Sequence, residues 1–168
     1  AKDGKSALYS AQDPRHLLWV HCAFTDSFLR AQIELGYPIA LGADRYVQEW
    51  SKSAVPLGLH NAPQSAIELQ ETIEGFVSNE VQAIAMTPPI VKFILKPPFS
   101  KGGLFFYRIL ANAAIATIDE PFLTVLGLKK RSKNWLRISR KLLDFLSYML
   151  GHESPSQKIA RARIQALQ

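Results

Sequence analysis

The chain has 168 residues, 48% of them apolar, 20% charged and 10% aromatic. That length fits one ordinary domain, or a large piece of one, and excludes two full enzyme domains; the composition is that of a chain that buries a core, neither disordered nor fibrous. The formal net charge of +6 is unevenly spread, because residues 1–90 carry 6 Lys/Arg against 10 Asp/Glu and residues 91–168 carry 14 against 4.

The lone Cys22 cannot form an internal disulfide or build a zinc site by itself, so the chain reads as intracellular, or at least not disulfide-stapled; a cytoplasmic location is the expectation. No apolar run approaches the roughly 20 residues that span a bilayer, so no transmembrane segment is expected. The opening stretch AKDGKSALYSAQDP has no initiator Met, no signal-peptide pattern and no apolar periodicity. It reads as a loop from inside a longer protein, which makes a fragment the expectation.

Helix punctuation dominates from there on. Asp13 followed by Pro14 is a cap with Pro at the first helical position, and Gly36 then Pro38 stop the helix they open. Leu17, His21, Phe24 and Phe28 fall on one face of that helix and should be buried. A second helix is expected from about Ala43 to Leu57, with Tyr46, Val47, Trp50 and Ala54 inward and Asp44, Arg45, Gln48 and Glu49 outward, ended by Pro56 and Gly58. Ser65 with Glu68 three residues later is a capping-box pattern for a helix carrying Ile67, Ile73, Phe76, Val77 and Val81. Thr87 with Pro88 opens a short apolar helix that Pro97 and Pro98 close. LFFYRILANAAIATI, apolar nearly all round apart from Arg108, reads as a central helix packed on several sides. Asp119 to Pro121 caps a short helix ending at Gly127, Ser132 opens a long basic helix ending at Gly151, and Ser154 with Pro155 opens the last one. About eight helices, no convincing strand and no internal repeat point to an all-α fold, an irregular multi-helix bundle in one domain.

Much of the basic charge lies in KKRSKNWLRISRK, Lys129 to Lys141, with a second cluster at Lys158, Arg161 and Arg163. Nucleic acid, an acidic lipid surface or a ligand carboxylate could meet such a patch. Alternatively it is the solvated face of two terminal helices, since Trp135, Leu136, Ile138, Leu142, Leu143 and Phe145 interleave as a buried stripe would. No aromatic-basic RNA motif, zinc finger or phosphate-binding loop is present, and no nucleic-acid partner is expected.

The richest polar set on an apolar helix is in LLWVHCAFTDSFLRA, where His21, Thr25, Asp26, Ser27 and Arg30 crowd four turns. Polar groups in a buried setting need partners. Asp26 and Arg30 stand four apart and can pair along the helix. His21 is either a satisfied core histidine or a pocket residue. Cys22 points about 100° away from it and reads as a small buried apolar residue. Ser27 lacks the strand-turn-helix elbow of a hydrolase nucleophile. None of His16, His21, His60 and His152 forms a metal-ligand spacing with another, and no metal site is expected from them.

Tyr9 to Trp50 resembles a signature stretch of the oxygenase family that includes the bacterial latex clearing proteins, which are rubber oxygenases, and the fungal mpaB-like oxygenases. Tyr9, Ala11, Asp13, Pro14, Trp19, Val20, His21, Asp26, Ser27, Gly36, Pro38 and Tyr46 stand where that stretch has its marked residues. The later layout is similar too: Leu57-Gly58, Pro63, Pro97-Pro98, an Ala-rich apolar helix, Leu126 to Leu128 and a basic C-terminal helix. The resemblance implies an all-α fold that holds a b-type haem and oxidises an apolar small-molecule substrate with dioxygen. In the family the axial histidine lies in an Arg-x-x-His motif just upstream of this stretch, and no Arg here has a His three residues later. The chain is therefore expected to be the C-terminal portion of a longer protein, inactive by itself, or else a degenerate member that keeps the fold, has lost catalysis and binds an apolar small molecule. It would supply one wall of the pocket, with His21, Thr25 and Asp26 lining or supporting it and Arg108, Arg131 and Arg137 pairing with haem propionates. An incomplete domain would leave apolar surface exposed, on the Leu17/Phe24/Phe28 face or the Ala-rich helix, and could form a homodimer through it.

Overall fold

A computed structural model of the chain describes residues 10, 12–151 and 155–166. The described residues form eight α-helices and no strand: α1 (Pro14–Leu35), α2 (Gly42–Ser51), α3 (Ala66–Asn79), α4 (Thr87–Leu95), α5 (Lys101–Thr117), α6 (Glu120–Leu126), α7 (Asn134–Leu150) and α8 (Pro155–Ala166). The fold is all-α, as the punctuation indicates. Tyr9, Ala11, His152 and the expected cap Ser154 lie outside the described residues. Among the described residues no helix is long and apolar enough to cross a membrane.

Local chemistry sets the ends of α1. Asp13 Oδ1 accepts the Arg15 amide at 2.8 Å, and at the other end Gly36 adopts φ +73° while the Tyr37 amide returns to the Gln32 carbonyl at 2.9 Å. This left-handed turn is one that a side chain adopts reluctantly. A Cβ at Gly36 would also lie 2.5 Å from Arg140 Nη1. That guanidinium donates to the Leu35 and Gly36 carbonyls, both at 2.8 Å, and so ties α7 to the C-terminus of α1, where a cation is favoured. Arg140 also lies over the Tyr37 ring, and Tyr37 Oη donates to Asp144 Oδ1 at 2.9 Å.

Several other ends differ from the sequence expectation, among them the caps of α4 and α7, which fall at Met86 and Lys133 and not at Thr87 and Ser132. The second helix stops at Ser51, and Val55–Leu57 form a separate 3-10 turn. Ser51 Oγ donates to the Gln48 carbonyl at 2.8 Å and Ser53 Oγ to the Trp50 carbonyl at 2.7 Å, so hydroxyls compete for the last backbone acceptors. At α3 Ser65 Oγ accepts the Glu68 amide at 3.2 Å, but the Glu68 carboxylate caps the Gln64 amide at 2.8 Å, one residue before the cap itself. Val81 falls beyond the end of α3 and Ile67 is exposed.

Packing divides the interior in three. One face of α1 meets α2 and α3 through Cys22, Leu29, Val47, Leu69 and Ile73. Below it Ala54, Leu59 and Ala62 close against Leu17 and Leu18. The third cluster joins α5 and α7 through Ala113, Ala116 and Leu136, flanked by Leu35 and Trp135. The small side chains of α5 let the helices approach closely enough for buried Ser139 Oγ to donate to the Ile109 carbonyl at 3.3 Å.

The remaining apolar stripes are not covered. Phe24 and Phe28 are about half exposed, contrary to their expected burial: Phe28 stacks between Phe24 and Trp50 of α2, with centroids 6.0 and 5.6 Å away, and the described helices leave the rest of that side open. The central helix α5 has its buried residues only in its second half; in its first half Tyr107 reaches the Ile94 carbonyl of α4, and Phe105 and Phe106 face outward. On α7 the expected buried stripe divides: Leu136 is buried, Trp135, Leu142 and Leu143 are half-buried, and Ile138 and Phe145 are exposed.

Candidate functional site

Trp19, Ala23, Asp26 and Arg30 recur at steps of four, three and four, which places them on one side of α1. They face a cavity of about 520 Å³ that lies between α1, α5, α6 and α7, with Ile73 of α3 at its edge, and is open to solvent on one side. Ala113 and Thr117 line it from α5, Phe122 and Leu126 from α6, and Leu136, Ser139 and Leu143 from α7. Ala113, Leu136 and Ser139 are buried and form the floor, whereas Ser27, Leu110 and Ala114 also line the cavity but are exposed, so they mark its mouth. The size and the mainly apolar lining suit a small apolar molecule.

Polar chemistry gathers at one end. Arg30 pairs along α1 with both oxygens of Asp26, at 3.2 and 3.3 Å, and across to Asp119 Oδ2 at 2.8 Å. Burial works against the charge on Arg30; the hydrogen bond and charge of Asp26, then those of Asp119, more than offset it and hold the guanidinium above its ordinary pKa. Asp119 is the N-cap residue of α6, yet its side chain makes no capping bond and is spent on Arg30 instead. The hydroxyls of Thr117 and Ser139 donate to the Ala114 and Ile109 carbonyls, which engages their protons and leaves acceptor capacity only. Two carboxylates and one guanidinium leave this end with a net charge of −1.

Of the residues singled out in the sequence, Asp26 lines the cavity. His21 and Thr25 are buried on another face of α1 and are not among the lining residues, since five helical steps place His21 about 140° from Asp26. Thr25 Oγ1 donates to the His21 carbonyl at 2.8 Å. Arg108, Arg131 and Arg137 are exposed and line no part of it. Sequence reasoning missed Asp119 as a site residue. Its proximity to Arg30 arises only when α6 docks beside α1, and the lone available signal is the stripe Trp19, Ala23, Asp26, Arg30.

Burial alone pushes the His21 imidazole below its ordinary value and the Cys22 thiol up to about 11. For His21 the folded state resists a proton that the unfolded chain accepts. Its contribution to stability is therefore complete above the ordinary histidine value of about 6.5 and is lost as the pH falls below it. The urea midpoint of the wild-type chain should drop on going from pH about 7.5 to about 5.5, and His21→Gln should drop less. Equal slopes for the two proteins would refute this.

Haem needs an axial side chain and partners for its propionates. Among the described residues no His, Cys, Met or Tyr lines the cavity, and the guanidinium there is engaged by two carboxylates. The lining residues do not fit an iron site. Among the described residues no group of three or more His, Cys, Asp or Glu could hold a metal ion.

A second, shallower hollow of about 420 Å³ lies on the other side of α1, formed by Phe28, Tyr46 and Trp50 with Tyr37, and it shares Ala31 and Leu35 with the first. Comparison with known proteins gives one family match: the family described as ER-bound oxygenase mpaB/B'/Rubber oxygenase, catalytic domain, over residues 1–148. No curated protein and no solved structure matches the chain.

Proposed function

The chain belongs to the mpaB/rubber oxygenase catalytic-domain family, and from that premise we propose that it supplies the apolar substrate wall of a haem-dependent oxygenase. The observation that carries this reading is the cavity of about 520 Å³ between α1, α5, α6 and α7, apolar along its length and polar at one end. In this reading the haem supplies the oxidative chemistry with dioxygen and is ligated by residues other than those that line the cavity. The chain's own work is to bind the substrate: Trp19, Phe122 and Leu143 exclude water from an apolar body, while the Asp26–Arg30–Asp119 cluster fixes one end of it. Because the lining holds no side chain for iron, the cavity by itself also suits a second reading, a catalytically inactive helical module that binds an apolar ligand.

Absorption spectroscopy separates the two. Protein expressed from its complete gene should show the Soret band of a bound b-type haem, and these 168 residues alone should not bind added hemin through a protein ligand. Absence of the band from the complete protein after hemin addition would remove the oxygenase reading and leave the binding module. The third reading, a basic interaction module, rests on the charge of residues 91–168 and requires binding that weakens steeply with salt; flat salt dependence removes it.

The same proposal includes self-association. Phe24 and Phe28 expose about half their surface beside Trp50, a continuous aromatic patch on one side of the molecule. Sedimentation velocity should show a dimer at micromolar concentration that Phe28→Ser weakens. A monomer at every concentration would exclude it.

A further inference from the structure

We propose that the cavity selects an apolar molecule that ends in a hydroxyl group, held by Asp119 and Arg30. The inference rests on the cavity being the substrate site and names the class of molecule that it takes. An alcohol oxygen both donates and accepts a hydrogen bond, and the polar end offers one position of each kind. Asp119 uses only Oδ2 on Arg30, at 2.8 Å; among the described residues its other oxygen makes no hydrogen bond. Arg30 donates Nε–H and one Nη2–H to Asp26 and pairs through Nη1 with Asp119, which leaves N–H donors over for a ligand. A hydroxyl placed there donates to Asp119 and accepts from Arg30, and each bond has a charged partner.

Alternative head groups fit less well. A carboxylate reaching the remaining Arg30 donors would sit beside two carboxylates at an end whose net charge is −1. An ether presents an acceptor to Arg30 but nothing to Asp119, and would desolvate that oxygen without replacing its hydrogen bond to water. Elsewhere in the lining the Thr117 and Ser139 hydroxyls donate to backbone carbonyls and can only accept from a ligand, and Ser27 stands at the exposed mouth, so the charged Asp119–Arg30 pair is the stronger partner for a hydroxyl.

Isothermal titration calorimetry with 1-decanol, 1-methoxydecane and decanoate at pH about 7 tests this. 1-Decanol should bind about tenfold more tightly than either of the others. Asp119→Ala should abolish the preference, bringing the affinities of 1-decanol and 1-methoxydecane together. That substitution removes no helix cap, because the Asp119 side chain makes none. Equal binding of 1-decanol and 1-methoxydecane, or tighter binding of decanoate, would overturn the hydroxyl assignment while leaving the cavity as a binding site. Binding of none of the three would overturn the cavity reading, and the assignment with it.

Discussion

Leu123→Ala should cost about 3 kcal/mol of stability, within the range of roughly 2–5 kcal/mol for truncating a fully buried leucine. Leu123 is 1% exposed and is the buried residue of α6, a helix of seven residues. So short a helix has little stability of its own and depends on that anchor. Its carbonyl also accepts the Leu128 amide at 2.9 Å in the turn that ends the helix, with Gly127 at φ +65°. For a chain of this length a loss of that size should lower the melting temperature by roughly 6–12 °C. Leu123→Met, which keeps the volume, should cost less than about 1.5 kcal/mol. The consequence reaches the cavity because Asp119, Phe122 and Leu126 all enter it from this helix or its cap. Thermal unfolding followed by circular dichroism, with and without 1-decanol, checks both parts; an unchanged melting temperature for Leu123→Ala would show that α6 does not anchor the site.

The helices could be read from the sequence where a side chain or a φ angle decides an end locally. Asp13, Pro14 and Gly36 act within a few residues of themselves, and α1 begins and ends where they indicate. The second helix stops before the expected Pro56 because Ser51 and Ser53 back-bond to carbonyls three residues earlier, a competition that apolar periodicity does not record. Faces are harder. Two stripes on α1 are equally regular, Leu17-His21-Phe24-Phe28 and Trp19-Ala23-Asp26-Arg30. The second lies along the cavity, and the first leaves Phe24 and Phe28 facing outward. Spacing shows that a stripe exists; the docking of α5, α6 and α7 decides which one is enclosed.

The polar end shows the same division. Asp26 and Arg30 are helical neighbours, and their pairing follows from a spacing of four. Asp119 is 89 positions beyond Arg30 and reaches it only because its side chain, free of capping duty, turns toward α1. No local rule links them. The family resemblance points Arg108, Arg131 and Arg137 toward propionates, whereas the bundle leaves all three exposed and outside the cavity lining.

Ala114→Trp should abolish most binding of an apolar ligand while leaving the fold intact. Ala114 lines the cavity from α5 yet is exposed, so an indole there lies across the mouth and is not forced into the packed α5–α7 contact. The neighbouring Ala113 is the contrasting position: it is 6% exposed within the cluster with Ala116 and Leu136, and enlarging it would overpack that contact. At the exposed rim the change in stability should stay within about 0.5 kcal/mol, whereas affinity for 1-decanol should fall at least about tenfold as the indole takes space that the ligand needs. Ala114→Ser, which adds one oxygen and little volume, should bind like the wild type. Calorimetry on the three proteins, together with their melting temperatures, separates occlusion from unfolding. If Ala114→Trp bound 1-decanol as tightly as the wild type with an unchanged melting temperature, the ligand would lie outside the cavity between α1, α5, α6 and α7, and its exposed mouth would have no part in binding.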